Sequence, residues 1–383
     1  RQARPMTALE ATARVPVRIT RGGWLDILRF VAAALIVLYH FREAAPVALG
    51  EVHPVFDRGY LLTNFFIIDS GYVLARIYGE GFANRTLSLS LYVRQRLLRV
   101  APSHLVVIAA LALLVATAAA VGIRPSNPQW FAWPELPAQV FLVQAYGVPG
   151  GQGWNAPTWS ISALLGCYVA FPFVLRGLSR IGPWTALILV VVGYLAANEL
   201  SWAILKYPVY QMPLNLGIWR ALPLFILGMG LAWFAQGVWI NARVAGWAGV
   251  LAAVGLAVAQ YFDKNALLSL VFISIIILAA GAVPNRNPSK LVEQAAMVSF
   301  SMFISNEVVR IAWFGLAEAF ADKLALGEAW RWGLWVLGIL AAFVFAFGLH
   351  YLIDQPIQNR IRAWLKARGK GAAVSQPVVS LEG

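Results

Sequence analysis

The chain has 383 residues, 60% of them hydrophobic and only 12% charged, with a mean hydropathy of +0.69. A water-soluble domain carries roughly 25% charged residues, so half of the expected polar surface is missing and a soluble enzyme is excluded in favour of a lipid-facing surface. The net charge of +13 is not gathered into one stripe, which argues against a nucleic-acid partner, and the single cysteine, Cys167, excludes a disulfide framework or a thiolate metal site within the chain.

Residues 1–23 carry Arg1, Arg4, Arg14, Arg18 and Arg21 against one acid, Glu10. The apolar run that follows contains Asp26, Arg29 and His40 and reads as an anchor helix rather than a cleaved signal. A window of about 20 mostly apolar residues per crossing predicts spans near 24–41, 60–78, 101–121, 157–178 and 183–204. Five more are predicted near 216–236, 243–262, 265–283, 295–319 and 331–353, with 133–147 as a further interfacial or re-entrant piece. With the N-terminus inside, the inner segments hold Arg85, Arg94, Arg96, Arg99, Arg176, Arg180, Arg243, Arg286, Lys290 and the basic 360–370 segment. The outer segments hold fewer: Arg42, Arg58, Arg124, Lys206, Arg220, Lys264, Lys323 and Arg331. This bias follows the positive-inside rule, and an even number of spans keeps the basic C-terminal tail inside. The expected fold is therefore an all-α integral membrane bundle of about ten transmembrane helices, with both termini cytoplasmic. It divides into a basic N-terminal segment (1–23), a transmembrane domain (24–356) and a basic, partly disordered tail (357–383). The longest outer loop, 122–156, is rich in Pro, Gly and Trp and is either functional or a plain connection.

Ionisable groups inside spans are costly and mark candidate sites. Arg29 and His40 are eleven residues apart, which puts them on one face of the first helix, about 16 Å apart along its axis. A line of this kind could hold a long anionic ligand, its head at Arg29 and its reactive end at His40; a snorkelling arginine and a hydrogen-bonded histidine are the plainer reading. Arg94, Arg96 and Arg99 form a second cluster. Arg96 and Arg99 are helical neighbours that could clamp a nucleotide phosphate, or could belong to an ordinary positive-inside cluster. Asp69, Arg76, Glu307 and Arg310 also fall in or near spans. Glu307 and Arg310 can pair with each other, and Asp69 needs Arg29, Arg76 or His40 as its partner.

Several segments, in order, resemble the membrane acyltransferase-3 family of ten-helix O-acyltransferases. Trp24 to Phe41 is similar to its opening helix with an Arg-x10-His motif, and Phe65-Phe66-Ile67-Ile68-Asp69-Ser70-Gly71-Tyr72 to its Phe-Phe-x-x-Ser-Gly-Phe turn. Arg96-Leu97-Leu98-Arg99 resembles its Arg-x-x-Arg segment, and Asn155 to Ser162 its Asn-x-Pro-x-Trp-Ser-x-Ser element. Arg220, Phe225 and Gly228, then Ser299-Phe300-Ser301 and Asp354-Gln355-Pro356, are weaker landmarks. The resemblance implies a cytoplasmic acyl-CoA donor, acetyl-CoA above all, and a hydroxyl acceptor on a cell-surface or lipid-linked glycan, in a bacterial inner membrane and with no metal. It implies His40 as general base and Arg29, Arg94, Arg96 and Arg99 at the donor. Asn155, Trp159, Ser160, Arg220 and Asn306 are then expected around the acceptor and central cavity. Three positions depart from the pattern. Ala163 and Leu164 stand where a glutamate is usual, Asn306 where a histidine is usual, and Asp69 where an apolar residue is usual. Either Asp69 or Asp26 is then expected to take the missing acidic role, or the site is weakened; Asp69, beside Ser70-Gly71 in an expected kink, either balances His40 or forms a structural salt bridge with Arg76. A non-catalytic acyl carrier and a secondary transporter are the alternatives, though neither inverted repeats nor broken helices are evident.

Overall fold

The computed structural model describes residues 21–123, 127–149, 153–262, 266–284 and 287–369. The basic residues expected at 1–20, the loop positions Arg124 and Gly150-Gly151, Lys264, Arg286 and the tail from Lys370 lie outside that set. Every predicted span is a helix. In chain order these are α1 (Trp24–Phe41), α2 (Tyr60–Ala83), α3 (Leu89–Ala120), α4 (Trp159–Leu178) and α5 (Pro183–Leu205). They continue as α6 (Gly217–Gly237), α7 (Ala242–Tyr261), α8 (Ala266–Ala282), α9 (Lys290–Lys323) and α10 (Glu328–Leu349). A π turn, His350–Asp354, leads directly into α11 (Gln355–Gly369).

Eight helical segments among the described residues are long and apolar enough to cross a membrane. Their outward side chains include Leu113, Leu251, Val344 and Leu352, each more than two-thirds exposed, as expected where the neighbour is lipid. The chain is an all-α membrane protein. α8 is apolar but only 17 residues long, and α2, with Asp69 and Arg76 buried in its middle, is an interior helix rather than a lipid-facing one.

Two helices start earlier than the hydropathy suggests, because serine caps rather than apolar residues set their ends. Ser88 accepts from the Leu91 N–H and Ser289 from the Val292 N–H, so α3 and α9 reach 32 and 34 residues. Either is longer than the roughly 30 Å hydrocarbon layer requires, and the extra turns of α3 lift Arg94 out of the apolar region. The 133–147 segment is not a half-span: a 3-10 turn, Trp133–Glu135, runs into a five-residue helix, Leu136–Val140, and the rest is irregular chain. Trp154, fully buried against Phe131 and Trp133, ties this loop down.

The helices form two packed groups. One core is built from α2, α4, α5, α6 and α8, the other from α1, α9 and α10, and α3 packs against α4 and α9 between them. The tightest crossing is α2 on α6. A Cβ on Gly71 would lie 2.1 Å from the Phe225 carbonyl oxygen, and one on Gly228 would lie 2.0 Å from that of Ile68. Two backbones therefore touch with nothing between them, which is how small residues drive helix association in lipid. The Ser70-Gly71 pair is thus not a kinked turn: α2 runs unbroken from Tyr60 to Ala83, and Gly71 is there to admit α6.

Pro102 lies inside α3 and cannot donate to the Leu98 carbonyl. The Gln358 amide of α11 reaches across instead, donating to the carbonyls of Leu98 (3.2 Å) and Arg99 (3.0 Å). No backbone group can be left unpaired where water is absent, so this contact docks the end of the chain onto α3.

Gly228→Leu should abolish stable folding, and Gly228→Ala should cost about 2 kcal/mol, as overpacking typically does. Gly177→Ala, where a Cβ meets nothing within 4 Å, should be neutral. Thermal unfolding of the three variants in detergent tests this, and equal midpoints for Gly228→Ala and Gly177→Ala would refute the close crossing.

Candidate functional site

Several of the polar groups buried in the bundle are paired across helices. At one end of α1, Arg29 donates through Nε to Asp69 Oδ2 of α2 at 2.7 Å, with Asp26 a further 3.5 Å contact. Asp69 is 2% exposed and Arg29 19%. The partner of Asp69 is therefore Arg29, not Arg76 or His40. Arg76 donates to the Tyr72 hydroxyl one turn back on its own helix, at 2.8 Å. The expected placement of Asp69 beside His40 is not what the structure has: Arg29, its partner, lies three turns of α1 from the histidine.

At the other end of α1, His40 Nδ1 is 2.7 Å from Asn306 Oδ1 of α9. The amide of Asn306 is fixed in turn, because its Nδ2 donates to the carbonyls of Met302 (3.2 Å) and Phe303 (2.7 Å). With the NH₂ committed to two acceptors, the oxygen must face His40, and Nδ1 must be the protonated nitrogen. That leaves the Nε2 lone pair of a neutral imidazole unshared. His40 itself is half-buried. Asn306 thus serves the histidine directly, and it stands where the family resemblance leads one to expect a second histidine. Just beyond it, Glu307 and Arg310 pair with each other at 2.6 Å, as their i, i+3 spacing suggests.

The arginines of α3 separate by environment. Arg94 is exposed. Arg96 is buried and donates to the Tyr78 hydroxyl at 2.5 Å, lying over that ring, with its Nε unpaired. Arg99 lies 4.7 Å above the Phe300 ring and gives Nη1 to Asp354 at 2.9 Å. Arg99 thus sits at the level of Phe300 on α9, six residues before Asn306 and so about 9 Å from it along the helix.

The remaining predicted residues lie near the N-terminal ends of α2, α4 and α6. Arg220 is buried, donates to Asn64 Oδ1 (2.9 Å) and the Tyr60 carbonyl (3.1 Å), and stacks 4.7 Å over Trp159. Asn155 donates to the Ile304 carbonyl of α9 at 2.8 Å and leaves its own Oδ1 unpaired. Ser160 bonds only locally, to the Pro157 carbonyl at 3.2 Å. Asn64, Ser103, His350 and Gln358 complete these contacts and were not singled out from sequence: Asn64, Ser103 and Gln358 pair with segments more than 150 positions away, where no local pattern marks them, and His350 pairs with Asp354 four residues on.

The profile of a family described as an acyltransferase domain matches residues 23–353. An acyltransferase from Streptomyces mycarofaciens, MdmB, is 27% identical over 260 residues, covering 62% of this chain and 64% of that protein. The chain thus spans a little under two thirds of the length of that relative. No solved structure matches the chain.

Removing one partner of a buried ion pair leaves an uncompensated charge and costs roughly 3–5 kcal/mol, whereas removing both is far cheaper. Asp69→Leu should therefore destabilise strongly, and Arg29→Met/Asp69→Leu should recover most of the loss. Additive single-variant losses in a double-mutant cycle of thermal stability would show the pair to be energetically uncoupled.

Proposed function

The chain belongs to the acyltransferase-3 family, and we propose that it moves a short acyl group, acetyl in the leading case, from cytoplasmic acyl-CoA to a hydroxyl of a cell-surface or lipid-linked glycan. The observation that carries this reading is the His40–Asn306 contact, which holds a neutral histidine by Nδ1 and leaves Nε2 free to accept a proton.

In this reaction the acceptor oxygen attacks the thioester carbonyl carbon while its proton passes to His40 Nε2. The tetrahedral adduct collapses with cleavage of the C–S bond, and the imidazolium returns the proton to the thiolate, giving an ester and free CoA. General base catalysis of this kind contributes about 10²–10⁴-fold. Arg29, Arg96 and Arg99 hold the phosphates of the donor, for which guanidinium forks are suited. Asp69 is a positioning residue: its bond to Nε fixes the plane of the Arg29 guanidinium. Arg220, Trp159 and Asn155 offer an aromatic face and polar atoms to the acceptor on the outer side. The setting that fits is the inner membrane of a bacterium, with both termini in the cytoplasm.

His40→Gln should bind acetyl-CoA normally and lose transfer. Asn306→Asp keeps the hydrogen bond and adds a charge that favours the imidazolium, so the acidic limb of kcat/KM should move to higher pH by about one unit. Asn306→Ala should lower kcat about tenfold or more with donor binding unchanged. Transfer to a glycan acceptor in membranes, followed by mass spectrometry across pH 5–9, measures all three. Full activity in His40→Gln would overturn the reading.

Orientation has its own test. Cys167 is buried, so single cysteines can be added to the natural sequence. One at Asp322 should react with an impermeant maleimide in intact cells and one at Arg180 should not. The reverse pattern would put the donor arginines on the wrong side.

A further inference from the structure

The π turn at His350–Asp354 gathers around Arg99 three residues that the proposed reaction leaves unused: His350, Asp354 and Ser103. Asp354, 1% exposed, accepts from Arg99 Nη1 (2.9 Å), from the Ser103 hydroxyl (2.6 Å) and from His350 Nδ1 (3.3 Å). A carboxylate only accepts, so the His350 ring carries its proton on Nδ1. Its Nε2 is buried and has no hydrogen-bond partner. Arg99 Nε and Nη2 make no hydrogen bond among the described residues, and Arg99 keeps 16% of its side-chain surface open. π turns inside α-helices recur at functional positions. This one turns His350 and Asp354 towards α3 just before Gln358 anchors the next turn to the carbonyls of Leu98 and Arg99.

We propose that His350, as an imidazolium, is a further ligand for the pyrophosphate of the acyl donor, making donor binding tighter at low pH. The inference rests on the reading that Arg99 holds the donor. Its basis is charge. Asp354 offsets the charge of Arg99, so with a neutral His350 these three groups carry no net charge. Protonation of Nε2 restores one positive charge and supplies a buried N–H that lacks an acceptor, beside the two free groups of Arg99. Asp354 orients both cations. The groups around the turn are few. α3 contributes Arg99 and Ser103, with Arg96 and Arg362 of α11 close enough to act on Arg99 electrostatically. α9 contributes the uncharged Phe300 ring under Arg99, and Tyr351 packs on the imidazole. Among the described residues, Asp354 is the one acid bonded to either cation.

Binding of acetyl-dephospho-CoA to the full-length protein in detergent, by titration calorimetry at pH 6 and pH 8, tests this. That probe keeps the pyrophosphate, which does not titrate in this range, and lacks the 3′-phosphate, which does. The natural sequence should bind it about tenfold more tightly at pH 6. H350Q should match the natural affinity at pH 8 and show no gain at pH 6, while H40Q should keep the gain. A pH-independent natural protein, or an H350Q variant that retains the gain, overturns the proposal, and the first of these outcomes needs no variant to fold. R99Q separates the two readings: binding unaffected by R99Q at both pH values removes Arg99 from the donor, whereas R99Q weakening with H350Q indifferent removes only His350.

Discussion

A carboxylate buried between helices cannot turn to water, so the Arg29–Asp69 pair has to be satisfied by geometry. α1 and α2 must meet in one register for Arg29 Nε to reach Asp69 at 2.7 Å, and that register depends on α2 already being seated against α6 by Gly71 and Gly228. The ion pair is worth little as raw stabilisation, since desolvating both groups offsets most of the Coulombic gain. Its value is selection, because any slip by one residue leaves a carboxylate and a guanidinium in hydrocarbon at a cost of several kcal/mol. With α1 fixed by Arg29 at one end, His40 three turns on is carried to a defined place opposite α9, where Asn306 waits.

The same logic recurs at other helix contacts. Arg99 to Asp354, Asn155 to the Ile304 carbonyl, Arg220 to Asn64 and Gln358 to the Leu98 carbonyl each join helices distant in sequence. None is apolar packing of the kind that lipid could replace. A bundle whose apolar surfaces are nearly as content in lipid as against each other is held in a single arrangement by its small-residue crossings and its polar bonds. Those bonds also line the half-buried positions that a donor and an acceptor would occupy, so fold specificity and site construction draw on the same residues.

Hydropathy and charge bias made the helices legible, because lipid imposes a length and a composition on every crossing. They missed the ends of α3 and α9, which Ser88 and Ser289 set through hydrogen bonds rather than hydrophobicity. The in-span charges were legible as candidates, and the list of partners for Asp69 included the right one. The choice among Arg29, Arg76 and His40 was not legible, since it depends on the rotation of α2 about its axis and on the path of the 42–59 connection. Ser70-Gly71 was misread for a related reason. A glycine that lets another helix approach and a glycine that bends its own helix look identical until the neighbour is present.

Asn306 shows how a departure from an expected residue can preserve a local arrangement. A histidine at that point would also offer His40 a hydrogen-bond partner, but its own tautomer would be free to change and would pass that freedom to its neighbour. An amide cannot exchange its roles in this way once both N–H bonds are committed to Met302 and Phe303, so it holds the proton on Nδ1 at every pH at which the imidazole is neutral. It also adds no charge. A carboxylate there would stabilise the imidazolium and draw the proton away from the return step that releases the thiol. The neutral lock at His40 and the carboxylate-held His350 are thus two uses of one side chain. An amide that accepts at Nδ1 fixes the tautomer of the first without adding a charge, in keeping with a group that must take a proton, and an aspartate orients the second beside Arg99.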